Sequence, residues 1–160
     1  MPPAPSPQAR PAPRAVEISS WLSSGYLVRE AHRAFQRLLE RRIAPYGVSR
    51  GQWYFLRVLW TDDGLSQREL SARVGMMEPT TAIALRSMER CGLVRRVRSS
   101  DDRRKVRVLL TAKAKRLRNE LLGVARSITD AAEQGVSARD LASFRRVVER
   151  MTANLDRVER

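Results

Sequence analysis

The sequence predicts a mainly α-helical fold with one small β-hairpin, and three observations carry that prediction. Serines followed three residues later by Gln or Glu mark helix starts at Ser49 and Ser66, because such pairs satisfy the unpaired N–H groups of a first helical turn. Two β-prone runs flank a short charged stretch in the second half of the chain, which is typical of a hairpin. Two long segments near the C-terminus repeat apolar residues every three or four positions, the spacing of one helix face.

The chain is expected to begin with an arm and one long helix. Prolines recur through residues 1–16 and exclude a helix there, so we predict a disordered arm. Ser19 or Ser20 can cap a helix that continues to about Ile43. This helix, within residues 17–46, is expected to serve in dimerisation.

Residues 49–110 are predicted to form one lobe. The helix after Ser49 is apolar nearly all round, so it should lie at the centre of the subunit. A second helix begins after Ser66, where Glu69 completes a capping box, and it ends at Gly75.

A third helix and the hairpin complete this lobe. Pro79 suits the first position of the helix, where its missing N–H costs nothing. Gly92 fits the left-handed stop that follows a helix ending at about Cys91. The runs Val94–Val97 and Val106–Leu110 are the predicted strands. Two short helices followed by such a hairpin form a winged helix-turn-helix, whose second helix enters the major groove of DNA.

Residues 111–160 are predicted to form two further helices. One runs from Thr111 to about Ala132, and Ser137 with Asp140 caps the other. The last helix carries a heptad seam made of Leu141, Phe144, Val148, Met151, Leu155 and Val158. Such helices exceed what a small lobe needs for its own core, so we expect a homodimer. The alternative is that these two helices and the long N-terminal helix pack on each other within one subunit.

The composition favours a polyanionic partner. The 160 residues include 31 Lys or Arg against 17 Asp or Glu, a net charge of +14, which favours double-stranded DNA. Because nearly all of the basic residues are Arg, genome composition also contributes, and a local cluster is better evidence. Residues 95–107 hold seven basic and two acidic residues. The main alternative is a helical interaction or scaffold protein whose charge reflects composition alone.

Several other classes of protein are excluded. A single Cys and a single His argue against an intrachain disulfide and a metal site, and the chain lacks a Gly-rich phosphate loop. We therefore expect no metal, no cofactor and no catalytic residues. The N-terminus lacks the apolar core of a signal peptide, and no apolar run approaches the ~20 residues that span a membrane. We expect no membrane partner and a cytoplasmic location.

Five short segments together resemble the MarR family of bacterial transcriptional regulators. They are S-Q-R-E-L at 66–70, P-T-T at 79–81, M-E-R-C-G-L-V-R-R at 88–96, D-D-R-R at 101–104 and L-L-T at 109–111. The resemblance covers roughly residues 19–157, and one departure is Ala114, where the family often has Gly. It implies a homodimer that binds a palindromic operator as a repressor and that a small aromatic or phenolic ligand releases.

The second motif helix is the predicted recognition helix. Ala82 and Ile83 can contact thymine methyl groups, and Arg86 can reach guanine or phosphate. Thr81 also falls on the face that would pack on the core, and the alternative for Ile83 is a second buried position. Thr80 lies near the positive end of the helix and suits phosphate or a base. The candidate DNA contacts on the two motif helices are Ser66, Gln67, Arg68, Pro79, Thr80, Thr81, Ala82, Ile83 and Arg86.

The charged stretch between the strands is the predicted wing tip. Arg104 is expected to enter the minor groove, where narrow A·T tracts concentrate negative potential. The resemblance implies that Asp102 orients Arg104 or braces the hairpin. Arg103 and Lys105 would add phosphate contacts. The alternative is a solvated run of charges, but a scaffold protein has no use for this motif between two strands.

A ligand pocket is implied by the resemblance, and its candidate residues are His32, Trp53 and Arg57. Each also has a simpler interpretation, with Trp53 in the core and the other two on the surface. Cys91 is expected to be a buried small residue rather than an oxidant sensor.

Overall fold

The computed structural model describes residues 23–98 and 106–158, so the predicted arm at 1–16 lies outside the described residues. The described chain is mainly helical with a small antiparallel sheet, which confirms the predicted fold class. None of its helices is long and apolar enough to cross a membrane. The elements in chain order are α1 (Ser24–Ile43), a 3₁₀ turn (Ala44–Tyr46), α2 (Arg50–Thr61), β1 (Leu65–Ser66), α3 (Gln67–Val74), α4 (Glu78–Arg90), β2 (Val94–Arg98), β3 (Val106–Leu110), α5 (Ala112–Glu133) and α6 (Ala138–Val158). Two compact units divide within α1, between Ala34 and Phe35.

In the first unit, α1 begins later than predicted. The hydroxyl oxygen of Ser23 accepts a hydrogen bond from the N–H of Tyr26 at 3.2 Å, and the helix begins at Ser24. Ser23 therefore caps α1, and the predicted caps Ser19 and Ser20 lie outside the described residues.

The core of the second unit is built around α2. Phe55 and Leu56 are fully buried, which confirms the prediction of a central helix. The predicted capping box is present, because the side chains of Ser49 and Gln52 each accept a hydrogen bond from the backbone N–H of the other. The side-chain amide of Gln52 also donates to Oγ of Ser87 at 3.3 Å, which links α2 to α4.

Helices α3 and α4 form the helix-turn-helix. The capping box of Ser66 and Glu69 is present as predicted. Gly75 adopts φ +71° in the turn, a left-handed conformation that glycine adopts without steric cost. Helix α4 begins at Glu78, so Pro79 occupies its second position rather than the predicted first. Both positions tolerate proline because the first N–H groups of a helix have no partner within it.

Helix α4 ends in a glycine stop that directs the chain into the sheet. The N–H of Gly92 donates to the carbonyl oxygen of Glu89, and the N–H of Leu93 donates to that of Met88, both at 2.9 Å. With φ +66° at Gly92, this is a Schellman motif. Leu93 is fully buried, so the predicted stop is confirmed.

The predicted hairpin is confirmed in its two strands. Strands β2 and β3 pair antiparallel along their length and end with Arg98 opposite Val106. Strand β1 pairs with the other side of β3, with Leu65 opposite Val108, which gives the order β1-β3-β2. This third strand was not predicted, because a run of two residues is too short to show an alternating pattern.

Helix α6 is capped at the predicted Ser137, and α5 begins one residue after the predicted Thr111, which caps it. The side chain of Thr111 accepts a hydrogen bond from the N–H of Ala114 at 3.2 Å, and that of Ser137 accepts from the N–H of Asp140 at 3.1 Å. Helix α5 contributes residues to the core, whereas α6 buries none of its own.

Candidate nucleic-acid interface

One face of α4 is exposed, and it is the predicted recognition surface. Ile83 is 62% exposed, so the alternative that it is a second buried position is wrong. Pro79, Thr80 and Arg86 are also exposed, and Ala82 is half-buried. These five side chains form a surface that a partner can reach.

Thr81 is the exception among the predicted contacts on α4. It is 0% exposed, so the prediction that it contacts DNA is wrong. The helical period explains the error, because Thr81 lies on the same side of α4 as Leu85 and Met88, which are both buried in the core. Its hydroxyl has no hydrogen-bond partner among the described residues.

The start of α3 holds the other predicted contacts. Ser66 and Gln67 are half-buried and Arg68 is exposed. The carboxylate of Glu69 accepts a hydrogen bond from the N–H of Ser66 at 2.8 Å. The pKa of Glu69 is lowered, first by that backbone N–H, then by the Ser66 side chain, with the charge of Arg107 as a further cause. The first turn of α3 therefore carries a carboxylate that stays ionised.

A groove that was not predicted lies between α3 and the hairpin. Its volume is about 530 Å³, and it is lined by Gln67, Arg96, Arg98, Val106 and Val108. The two arginines are two residues apart on β2, and this spacing places side chains on one face of a strand. The same spacing was visible in the sequence and would have placed them on one face.

Helix α4 holds one of these arginines in position. The Nε atom of Arg96 lies 3.4 Å from Oε2 of Glu89, and about a third of each side chain is exposed. Glu89 is in the last turn of α4, so this ion pair joins the recognition helix to β2.

The predicted wing-tip residues cannot be placed on this surface, because they lie outside the described residues. They are Asp102, Arg103, Arg104 and Lys105. The described strands end on either side of that segment, with Arg98 paired to Val106.

A cavity beside α2 contains two of the three predicted ligand residues. It has a volume of about 300 Å³, and its walls include Phe35, Gln36, Trp53 and Arg57. The guanidinium carbon of Arg57 lies 6.0 Å from the centre of the Trp53 ring. Trp53 is also 3% exposed, in agreement with its interpretation as a core residue. His32 belongs to the first unit and is exposed.

Cys91 follows the last residue of α4 and is exposed, so the expectation of a buried side chain is wrong. Its carbonyl oxygen accepts a hydrogen bond from Nζ of Lys113 at 3.0 Å. Within residues 23–98 and 106–158, no three His, Cys, Asp or Glu side chains are arranged to hold a metal ion.

Known proteins resemble this chain in sequence. A model of the MarR family matches residues 46–105. The HTH-type transcriptional regulator TtmR of Methylorubrum extorquens (strain PA1) is 32% identical over 96 residues, which are 60% of this chain and 49% of TtmR. The match therefore spans about half the length of that relative.

Solved structures match a larger share of the chain. The S. aureus MepR protein, solved as a DNA complex, has a TM-score of 0.75 over 86% of this chain and 99% of that one, but at 18% identity the likeness shows the fold alone. A MarR transcriptional regulator from Methanosarcina mazei Go1 has a TM-score of 0.74 and 30% identity, over 84% of this chain and 96% of that one. Because almost the whole of the M. mazei regulator is matched at that identity, the chain belongs to the MarR family.

Proposed function

We propose that the chain is a sequence-specific, double-stranded DNA-binding transcriptional regulator that acts as a repressor. The exposed face of α4 beside the arginine-lined groove is the observation that carries this proposal. The second helix of a helix-turn-helix lies in the major groove with its N-terminal residues on base edges. TtmR and the M. mazei protein are both named as transcriptional regulators, which supports the same function.

Cations around α4 would anchor the lobe to the phosphate backbone. Arg68 and Arg86 are exposed on the two motif helices, and Arg96 and Arg98 line the groove between α3 and the hairpin. Contacts of this kind fix the register of a protein on the duplex, whereas contacts to base edges determine sequence preference. Thr80, in the first turn of α4, is a further phosphate contact in this proposal.

The wing tip adds a minor-groove contact in the same proposal. Arg104 enters the groove, Asp102 supports it, and Arg103 and Lys105 bind phosphates on either side. The net charge of +14 favours this arrangement, because each neutralised phosphate releases condensed counterions.

The regulator is further proposed to act as a homodimer on a palindromic operator. Phe144, Leu155 and Val158 of the predicted seam are 59%, 66% and 85% exposed. A second copy is the partner that fits, because heptad seams pack on one another in register. Two lobes related by a twofold axis would then meet half-sites about 34 Å apart, one turn of the double helix.

A small aromatic acid is the proposed effector, and the cavity with Trp53 and Arg57 is its proposed site. An aromatic wall with a guanidinium beside it suits a ring that carries a carboxylate. A thermal-shift screen of small aromatic acids tests this proposal. Arg57→Ala should abolish the ligand-induced increase in melting temperature, whereas Arg139→Ala, at the exposed start of α6, should retain it.

A gel shift tests the central proposal. The full chain is titrated onto the DNA upstream of its own coding sequence and onto a shuffled duplex of equal length. Tighter binding to the upstream DNA, in a complex that contains two chains, is the expected result. Equal affinity for both duplexes would contradict specific regulation and favour the alternative of a helical interaction protein.

A further inference from the structure

The start of α4 is exposed, yet it carries mainly apolar side chains. We call Met77, Pro79, Ala82 and Ile83 the apolar start of α4. Met77 is 76% and Ile83 is 62% exposed, Pro79 is exposed and Ala82 is half-buried. None of these four side chains can donate a hydrogen bond, and the Met77 sulfur is only a weak acceptor, so a partner is recognised here mainly by packing.

Exposed cations lie on the same two motif helices. Arg86 and Arg90 follow it on α4, and Arg68 lies on α3. A second copy of this chain would bring the same arginines against each other, which costs free energy. A partner that is polyanionic at its rim and apolar at its centre fits much better. The major groove of DNA has this character where the C5 methyl groups of thymine project between two rows of phosphates.

We infer that the apolar start of α4 recognises thymine through its C5 methyl group, with Ile83 as the main contact. This inference rests on the proposed DNA binding and specifies how the sequence is read. The C5 methyl is the one apolar group among the base features of the major groove. Glu78, the acidic residue in the first turn of α4, limits which base can lie beside it. A carboxylate accepts hydrogen bonds from the amino groups of cytosine or adenine and is repelled by the acceptors of guanine.

The test removes single methyl groups from the DNA. A preferred site is first selected from a library of random duplexes with the full-length protein. Each thymine of that site is then replaced in turn by deoxyuridine, which differs only in lacking the methyl group. Affinity should fall about fourfold for each methyl group that the protein covers, since burying one such group contributes about 0.8 kcal/mol. Changing a contacted thymine to cytosine should also lower the affinity. Placing 5-methylcytosine at that position instead should restore part of the lost affinity, because it carries the methyl group again.

Protein variants show whether α4 makes the contact. Ile83→Ala should bind equally well to duplexes that carry thymine or uracil at the base that Ile83 contacts. Ile83→Val should keep part of the difference in affinity between these two duplexes. The fold is not at risk in either variant, because Ile83 is mainly exposed. Val136→Ala is the matched control, since Val136 is a 44% exposed apolar residue in the turn after α5, and it should keep the full difference.

The outcomes separate this inference from the function on which it depends. A selection that enriches no sequence would overturn specific DNA binding itself. A selected site that binds equally well with uracil at every position would leave DNA binding intact and overturn methyl recognition. Dependence on the methyl group that persists in Ile83→Ala and in Met77→Ala would also overturn the assignment to α4.

Discussion

The hydroxyl of Thr111 donates a 2.6 Å hydrogen bond to the carbonyl oxygen of Gly92. The backbone N–H of Thr111 donates to the carbonyl oxygen of Leu93 at 3.0 Å, and its hydroxyl oxygen accepts from the N–H of Ala114 at 3.2 Å. One residue therefore joins the stop of α4 to the start of α5. This is the structural reason for a threonine after the second strand in the L-L-T segment.

Thr111→Val should destabilise the chain by about 1–2 kcal/mol, because it removes a helix cap and a hydrogen bond while preserving the shape of the side chain. Urea unfolding followed by circular dichroism measures this loss as a lower midpoint at an unchanged slope. Thr111→Ser keeps the hydroxyl and should recover most of the stability. Equal stability of Thr111→Val and the wild type would show that these bonds contribute nothing net.

Because of Glu69, the free energy of unfolding should depend on pH. Its pKa is lowered in the folded chain, first by the backbone N–H of Ser66 and then by the Ser66 side chain. The charged carboxylate thus contributes stability above the ordinary glutamate pKa of about 4.3, and this contribution is lost as the pH falls through the lower pKa of the folded state. Glu69→Gln should therefore melt below the wild type at neutral pH, and the two melting temperatures should converge in acid.

The amide of Glu69→Gln still accepts from the Ser66 N–H, so this variant isolates the charge, whereas Glu69→Ala removes the hydrogen bond as well. The melting temperatures of the wild type and both variants, measured between about pH 7 and about pH 3.5, separate the effect of the charge from that of the hydrogen bond. A gap between the wild type and Glu69→Gln that stays constant across this range would contradict the role given to the carboxylate.

Local signals predicted most of the helix boundaries. The caps at Ser49, Ser66 and Ser137 were visible in the sequence because a cap joins residues two or three positions apart. Strand β1 was missed because it forms only by pairing with β3, where Leu65 lies opposite Val108. The bond from Gln52 to Ser87 was missed for the same reason, since no local pattern marks a contact between two helices.

The exposure of the candidate DNA contacts on α4 was predictable from the helical period. The period placed Ile83 on the exposed side of α4 and Thr81 on the buried side, and the structure agrees with the period at both residues. Arg96 and Arg98 were not among the predicted contacts, because a basic residue in a strand carries no local sign that it lines a groove. Their value as a groove wall depends on Gln67, which only the packing of α3 against the sheet brings near.

Arg104→Ala tests the proposed wing contact. The variant should lose about 1–3 kcal/mol of DNA affinity, and the slope of log affinity against log salt should fall by about one, because one cation no longer displaces counterions. Fluorescence anisotropy at several salt concentrations measures both quantities. Arg139→Ala removes the same charge at the start of α6 and should change neither. An unaltered salt slope in Arg104→Ala would contradict the contact.

Leu155→Asp tests the proposed dimer seam on α6. Leu155 is 66% exposed and α6 buries none of its residues within the subunit, so a charge there should leave the subunit folded. In a dimer the same carboxylate would be buried against an apolar seam, which costs several kcal/mol unless it finds a partner. Analytical ultracentrifugation should therefore show the mass of one chain for Leu155→Asp and of two chains for the wild type. Val136→Asp places the same charge on an exposed apolar residue outside the seam, and it should stay dimeric. If Leu155→Asp sediments as a dimer with unchanged helical content, the two copies do not meet through this seam, and the spacing of their recognition helices must be set by another surface.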